Sequence, residues 1–70
     1  MEKYTGIYEF QVIAKVIDGK SVYMLDRKRR NIECVNGMTL NNIAEVLKEE
    51  NKNGRFEFWI VEDVEENGEL

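Results

Sequence analysis

The chain has 70 residues, 43% of them hydrophobic and 34% charged, with a formal net charge of −4. That composition is too apolar for a disordered chain and sets a single domain close to the lower size limit for a self-sufficient hydrophobic core. No apolar run approaches the roughly 20 residues of a membrane-spanning helix, and the chain holds no histidine and one cysteine, Cys34.

A lone cysteine forms no internal disulfide, and Met1–Tyr4 lack the basic head and apolar stretch of a secretory leader, so a cytoplasmic protein is expected. Charge is unevenly distributed. Residues 1–30 carry +3 and residues 31–70 carry −7. An acidic second half disfavours general affinity for phosphate backbones and suits a basic surface on another protein.

Taken in chain order, Tyr8, Phe10, Val12, Ala14 and Val16 alternate with Glu9, Gln11, Ile13 and Lys15, which predicts a half-buried first strand. Asp18-Gly19 then predicts a two-residue hairpin turn. A second strand is expected over 20–26. The basic run Arg27-Lys28-Arg29-Arg30 makes a further turn, setting Leu25 opposite Ile32 and Tyr23 opposite Cys34 in a third strand over 31–35. Thr39 is the expected N-cap of a helix carrying Leu40, Ile43, Ala44 and Leu47 on one side, and Asn53-Gly54 ends it. A last strand alternates Phe56, Phe58 and Ile60 with Glu57, Trp59 and Val61. The predicted fold is α+β, in the order β-β-β-α-β: a four-stranded, mostly antiparallel sheet with one helix on one face and the last strand parallel to the first. Residues 1–65 form the domain and 66–70 an acidic tail.

One helix covers one face of a sheet. Assigning Tyr8, Phe10, Val12, Ala14, Val16, Tyr23, Leu25, Ile32, Phe56, Phe58 and Ile60 to the covered face leaves Ile7, Ile13, Ile17, Val22, Met24, Val35, Trp59 and Val61 on the open one. Few monomeric domains expose that many large apolar groups together, and an exposed tryptophan is a frequent interface anchor.

Catalytic chemistry has few candidates. Without histidine the chain lacks the commonest general base and metal ligand, and one cysteine builds no four-ligand zinc site. On the helix-facing side opposite Tyr23, Cys34 reads as a small buried hydrophobe. The glycines sit at turns rather than in a phosphate-cradling loop. No catalytic residue, metal site or cofactor is expected, and the chain reads as non-enzymatic. The candidate partner-binding residues are Trp59, Val61, Ile13 and Met24 on the apolar face, with Glu45, Glu49, Glu62 and Asp63 as acidic contacts. Glu50, Glu65, Glu66 and Glu69 add to the acidic set. The alternative is a nucleic-acid-binding module using Arg27, Lys28, Arg29 and Arg30, and a structural homo-oligomer is a third reading.

A hairpin through Asp18-Gly19-Lys20, Gly37-Met38-Thr39-Leu40 opening a helix, and a closing strand together resemble the small phage-encoded uracil-DNA glycosylase inhibitors over about the middle third of the chain. The resemblance implies a DNA-mimicking inhibitor, dimeric in one branch of that family, that occupies the DNA groove of a host enzyme. The expected function is therefore a phage-type inhibitor or adaptor that binds a host protein, with homodimerisation as a further expectation.

Overall fold

The computed structural model describes residues 1–64. It is an α+β domain built on a four-stranded, fully antiparallel sheet in the order β1-β4-β2-β3. The strands are β1 (Glu2–Ile7), β2 (Ser21–Asp26), β3 (Asn31–Cys34) and β4 (Phe56–Asp63), and the helices are α1 (Val12–Ile17) and α2 (Leu40–Asn53). Single 3₁₀ turns, Glu9–Gln11 and Val35–Gly37, precede the two helices.

The second half of the chain follows its sequence closely. β2 and β3 pair Tyr23 with Cys34 and Leu25 with Ile32. Thr39 caps α2 by accepting a bond from Asn42 N at 3.1 Å. Gly54 closes the helix in the left-handed conformation, φ +65°, and its N–H donates to Glu50 O at 2.8 Å, a conformation that glycine adopts without penalty.

The first half differs. Residues 8–16, expected as a strand, form the Glu9–Gln11 turn and most of α1. Gln11 nucleates the change: its side-chain oxygen accepts from Tyr8 N at 2.9 Å while its own N–H donates to Tyr8 O at 2.9 Å. Behind it, Val12, Ile13 and Val16 satisfy the helical spacing i, i+1, i+4 as well as they satisfy strand alternation, and all three pack into the core. Asp18-Gly19 is accordingly the end of a helix rather than a hairpin. Gly19, φ +84°, donates to Val16 O at 3.0 Å, and Lys20 N donates to Lys15 O at 3.0 Å. The first strand is instead Glu2–Ile7, whose residues are nearly all exposed and carry no strong alternation.

This substitution alters the topology. A helical connection makes β2 run parallel to β1, with β4 inserted between them. Crossover through α2 makes β4 parallel to β3, so β4 lies beside β1 as expected but antiparallel to it. The element order is β-α-β-β-α-β, and both helices contribute to the same layer. Val12 of α1 and Ile43 of α2 meet Val22, Met24, Phe56, Phe58 and Ile60 from the sheet, with Val35 closing one end. Burying such a cluster is the main driving force for folding.

The faces of β2 are consequently exchanged. Val22 and Met24 are buried, whereas Tyr23 and Leu25 lie with Trp59 and Glu57 on the opposite side, each pair directly across the β2–β4 ladder. The placement of Met24 on the open surface is thereby corrected: it is a core residue, 4% exposed. Val35 and Ile7 also move inward, Val35 into the core and Ile7 packed against it.

Candidate interaction surface

Among the described residues both helices pack on one side of the sheet, and its other face carries no covering layer. The ladder brings its members together strand by strand. Tyr4 and Gly6 come from β1, Trp59 and Val61 from β4, Tyr23 and Leu25 from β2, and Ile32 from β3. Trp59 stands between Gly6 on one side and Tyr23 on the other, and Tyr4 is opposite Val61. A methyl group at Gly6 would come within 3.7 Å of Trp59 Cδ1, so the indole lies across the bare backbone of that position. Tyr4 and Ile32 are each 63% exposed, and Tyr23, Leu25, Trp59 and Val61 are half-buried. A shallow depression of about 530 Å³ is lined by Glu2, Tyr4, Tyr23, Ile32, Trp59 and Val61. Cys34 also reaches this face rather than the core, exposed beside Tyr23.

The sequence-level candidates divide around this surface. Trp59 and Val61 sit at its centre. Ile13 is half-buried on α1, packed against the core from the other layer. Glu45 and Glu49 lie on α2, bordering a cleft they share with Arg29, Glu33 and Arg55. Glu62 points to the helical side, where Lys20 Nζ donates to it at 2.9 Å and holds its carboxyl below the usual carboxylate range. Asp63 lies 3.5 Å from the N-terminal ammonium. Glu50 accepts from Phe56 N at 2.5 Å and approaches Arg27 Nη1 at 3.8 Å. Glu50, Glu62 and Asp63 thus have partners within the domain. Glu65, Glu66 and Glu69 lie outside the described residues, as does the whole of the predicted tail, 66–70.

The basic run is likewise not uniform. Arg27 is engaged: Nη1 donates to Gly54 O at 2.6 Å and Phe56 O at 3.0 Å, and Nη2 to Glu57 at 3.2 Å. It fastens the β2–β3 loop to the α2–β4 connection. Lys28, Arg29 and Arg30 are exposed and make no ion pair among the described residues. Their loop is shaped by Asp26, whose Oδ1 accepts from Lys28 N at 3.0 Å and Arg29 N at 3.2 Å while its carbonyl accepts from Arg30 N at 2.6 Å. Arg30 takes the left-handed conformation, φ +58°. Asp26 is 3% exposed and pairs with Arg55, which holds its carboxyl far below the ordinary aspartate range. Sequence reading passed over this pair because a charged residue ending a strand has no distinguishing pattern.

A second apolar patch lies where α1 replaces the expected strand. Tyr8 and Phe10 stack with centroids 5.4 Å apart and planes 5° from parallel. Phe10 and Ile17 are each 78% exposed. These two aromatics, expected in the core, are at the surface because the Glu9–Gln11 turn faces them away from it.

Among the described residues no group of three or more acidic or cysteine side chains is placed to hold a metal ion, and no helix is long and apolar enough to cross a membrane. Comparison with protein-family profiles, with characterised proteins and with solved structures finds no match to this chain.

Proposed function

We propose that this chain is a non-enzymatic protein-binding domain whose contact surface is the open sheet face centred on Trp59. One observation carries this reading: Tyr4, Tyr23, Leu25, Ile32, Trp59 and Val61 share a single face that no helix covers among the described residues. Contiguous apolar surface of that kind, held on a rigid sheet with an aromatic residue at its centre, is what a desolvated interface core requires. Carboxylates flank the aromatics. Glu2 accepts a bond from Tyr4 Oη at 3.0 Å, and Glu57 lies beside Leu25 in the ladder. A stacking platform for nucleic acid sets free cations among its aromatics, and Arg27, beside Glu57, is paired with it, so a protein partner fits the face better than a single strand.

The finer reading, an inhibitor that imitates DNA towards a host enzyme, draws on the acids that form no ion pair among the described residues, chiefly Glu45 and Glu49 on α2, the latter accepting from Asn53 Nδ2 at 2.6 Å. These lie on the opposite layer from Trp59. The apolar face and the helix acids therefore make separable contributions. The test is affinity capture with three baits: the unaltered chain, Ile32→Glu, and Glu45→Lys combined with Glu49→Lys. Loss of a captured protein with Ile32→Glu alone supports the apolar face. Loss with the helix variant alone supports the charge-mimic reading, and equal capture by all three removes both.

A further inference from the structure

We infer that the depression between Tyr4, Tyr23 and Trp59 binds a guanidinium group, presented as an arginine side chain by a protein partner. This rests on the reading of the open face as a protein contact and adds the chemistry of the group that enters it.

Strand alternation sorts the charges at this end of the sheet by face. Glu2 and Asp63 share the open face with Tyr4, Trp59 and Val61, whereas Lys3 and Glu62 are paired in the ladder on the helical side. Lys20 donates to Glu62 there. With the N-terminal ammonium included, three cations balance three acids, so no long-range field draws a ligand in. The attraction is local. The ammonium is taken by Asp63, while Glu2 makes no ion pair among the described residues. One Glu2 oxygen accepts from Tyr4 Oη at 3.0 Å, which ties the carboxylate to the rim of the depression. That bond also pushes the Tyr4 phenol above its ordinary value, so it stays a donor.

The aromatic rings surround the same space. Tyr23 is directly opposite Trp59 in the β2–β4 ladder, and Tyr4, opposite Val61, is diagonal to Trp59 on the other side. With Glu2 they line the open depression of about 530 Å³. Among the described residues the one cation seated over an aromatic ring is Arg55, over Phe56, so the faces of Tyr4, Tyr23 and Trp59 carry none.

The Arg55 site shows the arrangement that the depression offers to a partner. Arg55 Cζ lies 4.9 Å from the Phe56 centroid while Nε and Nη2 bond to Asp26. The open face sets an indole, the strongest cation–π ring, beside a carboxylate without a cation. A guanidinium suits an open depression better than an ammonium. It is planar and weakly hydrated, so it stacks on the ring while its edge donates to Glu2, whereas an ammonium keeps its water.

Nuclear magnetic resonance titration of the isotope-labelled 70-residue chain tests this, with acetyl-arginine methylamide as the probe. Trp59 is the only tryptophan, so its indole N–H signal reports the site directly. The probe is expected to move that signal and the Tyr4 and Tyr23 amides to saturation within tens of millimolar. The lysine derivative should bind about two- to fivefold more weakly, and the neutral citrulline derivative of the same shape should not saturate. Glu2→Gln should weaken the arginine probe about two- to fivefold, an effect that shrinks with added salt. Trp59→Leu, followed at the Tyr23 and Val61 amides, should weaken it about fivefold. Glu45→Gln, on α2, should leave it unchanged. Circular dichroism melting checks folding, and Glu2→Gln, at an exposed position, keeps the test decisive if Trp59→Leu unfolds. Equal binding of the arginine and citrulline derivatives overturns the inference, as does an indole signal that never moves or a Glu45→Gln effect equal to that of Glu2→Gln. If Ile32→Glu abolishes capture of another protein while the indole ignores the probe, the guanidinium site is wrong and the contact face stands. If capture ignores Ile32→Glu, the contact reading falls and the partner's arginine with it.

Discussion

Arg55 grips Asp26 at two points: its Nε lies 2.9 Å from one carboxylate oxygen and its Nη2 lies 2.7 Å from the other. The pair joins the end of β2 to the start of β4 while the same carboxylate orders the loop that follows. A two-point pair is geometrically selective, because lysine presents a single charged centre where arginine presents a fork. Removing the arginine leaves a carboxylate enclosed by protein with its main cation gone. Arg55→Ala is therefore expected to destabilise the fold more than Arg55→Lys, and both more than Arg29→Ala, whose side chain pairs with no acid among the described residues. Chemical denaturation of the three variants checks the order.

The same pair sets an acid dependence. The folded carboxyl of Asp26 titrates below its unfolded value, chiefly because Arg55 bonds to it. A depressed folded pKa contributes stability that is complete above the unfolded aspartate value, near pH 4, and is lost as pH falls further. Melting temperature measured from pH 7 down to pH 2 should fall more steeply below about pH 4 for the unaltered chain than for Asp26→Asn, which carries no titrating group at that position. Parallel curves would show that the carboxylate contributes nothing to the acid limb.

The caps of α2 give a second, independent stability test. Thr39→Ala removes the acceptor for Asn42 N and should cost about 1 kcal/mol. Gly54→Ala forces a β-carbon into the left-handed conformation and should cost about 1–2 kcal/mol. The sites are a helix apart, so the double variant should show the sum within about 0.5 kcal/mol. Urea unfolding at neutral pH reads all three.

Replacement of α1 for a strand makes opposite forecasts for neighbouring residues. Phe58→Ala opens a cavity in the core and should cost about 3–5 kcal/mol. Phe10→Ser, at a position 78% exposed, should change stability by no more than about 0.5 kcal/mol. Were residues 8–16 the central strand that their alternation suggests, the two losses would be comparable.

Nucleic acid offers a final comparison. Three cations in the loop after β2 are expected to give weak retention of single-stranded DNA at low ionic strength that disappears near physiological salt. Trp59→Ser should not alter that retention, since no base is expected to stack on it. Filter binding across a salt series, with this variant and with Lys28, Arg29 and Arg30 each changed to Ser, separates loop contact from use of the sheet face.

Sequence legibility followed the source of order in each element. Thr39 and Gly54 mark α2 because their chemistry is local, and Tyr23, Leu25, Ile32 and Cys34 fall into register because a short loop fixes the pairing. Phe56, Phe58 and Ile60 alternate because β4 is central and buried on one face. β1 left no such trace: as an edge strand it is held by backbone bonds to β4, and those impose no side-chain pattern. Tyr8–Val16 supplied the pattern of a strand, yet Val12, Ile13 and Val16 also fit a helix, and the Gln11–Tyr8 bonds decide between them. Misplacing that one element turned β2 over, so the open face was anticipated through Trp59 and Val61 while Tyr4, Tyr23, Leu25 and Ile32 were missed as its members.

Gly6 gives the open face a useful property. Because position 6 contributes no side chain, the indole of Trp59 rests on the backbone of β1, half in contact with protein and half with solvent. It is the only tryptophan in the chain. Its emission is thus an unlabelled optical gauge of that face: it shifts to shorter wavelength when the surface is covered, and leaves the helical layer unreported.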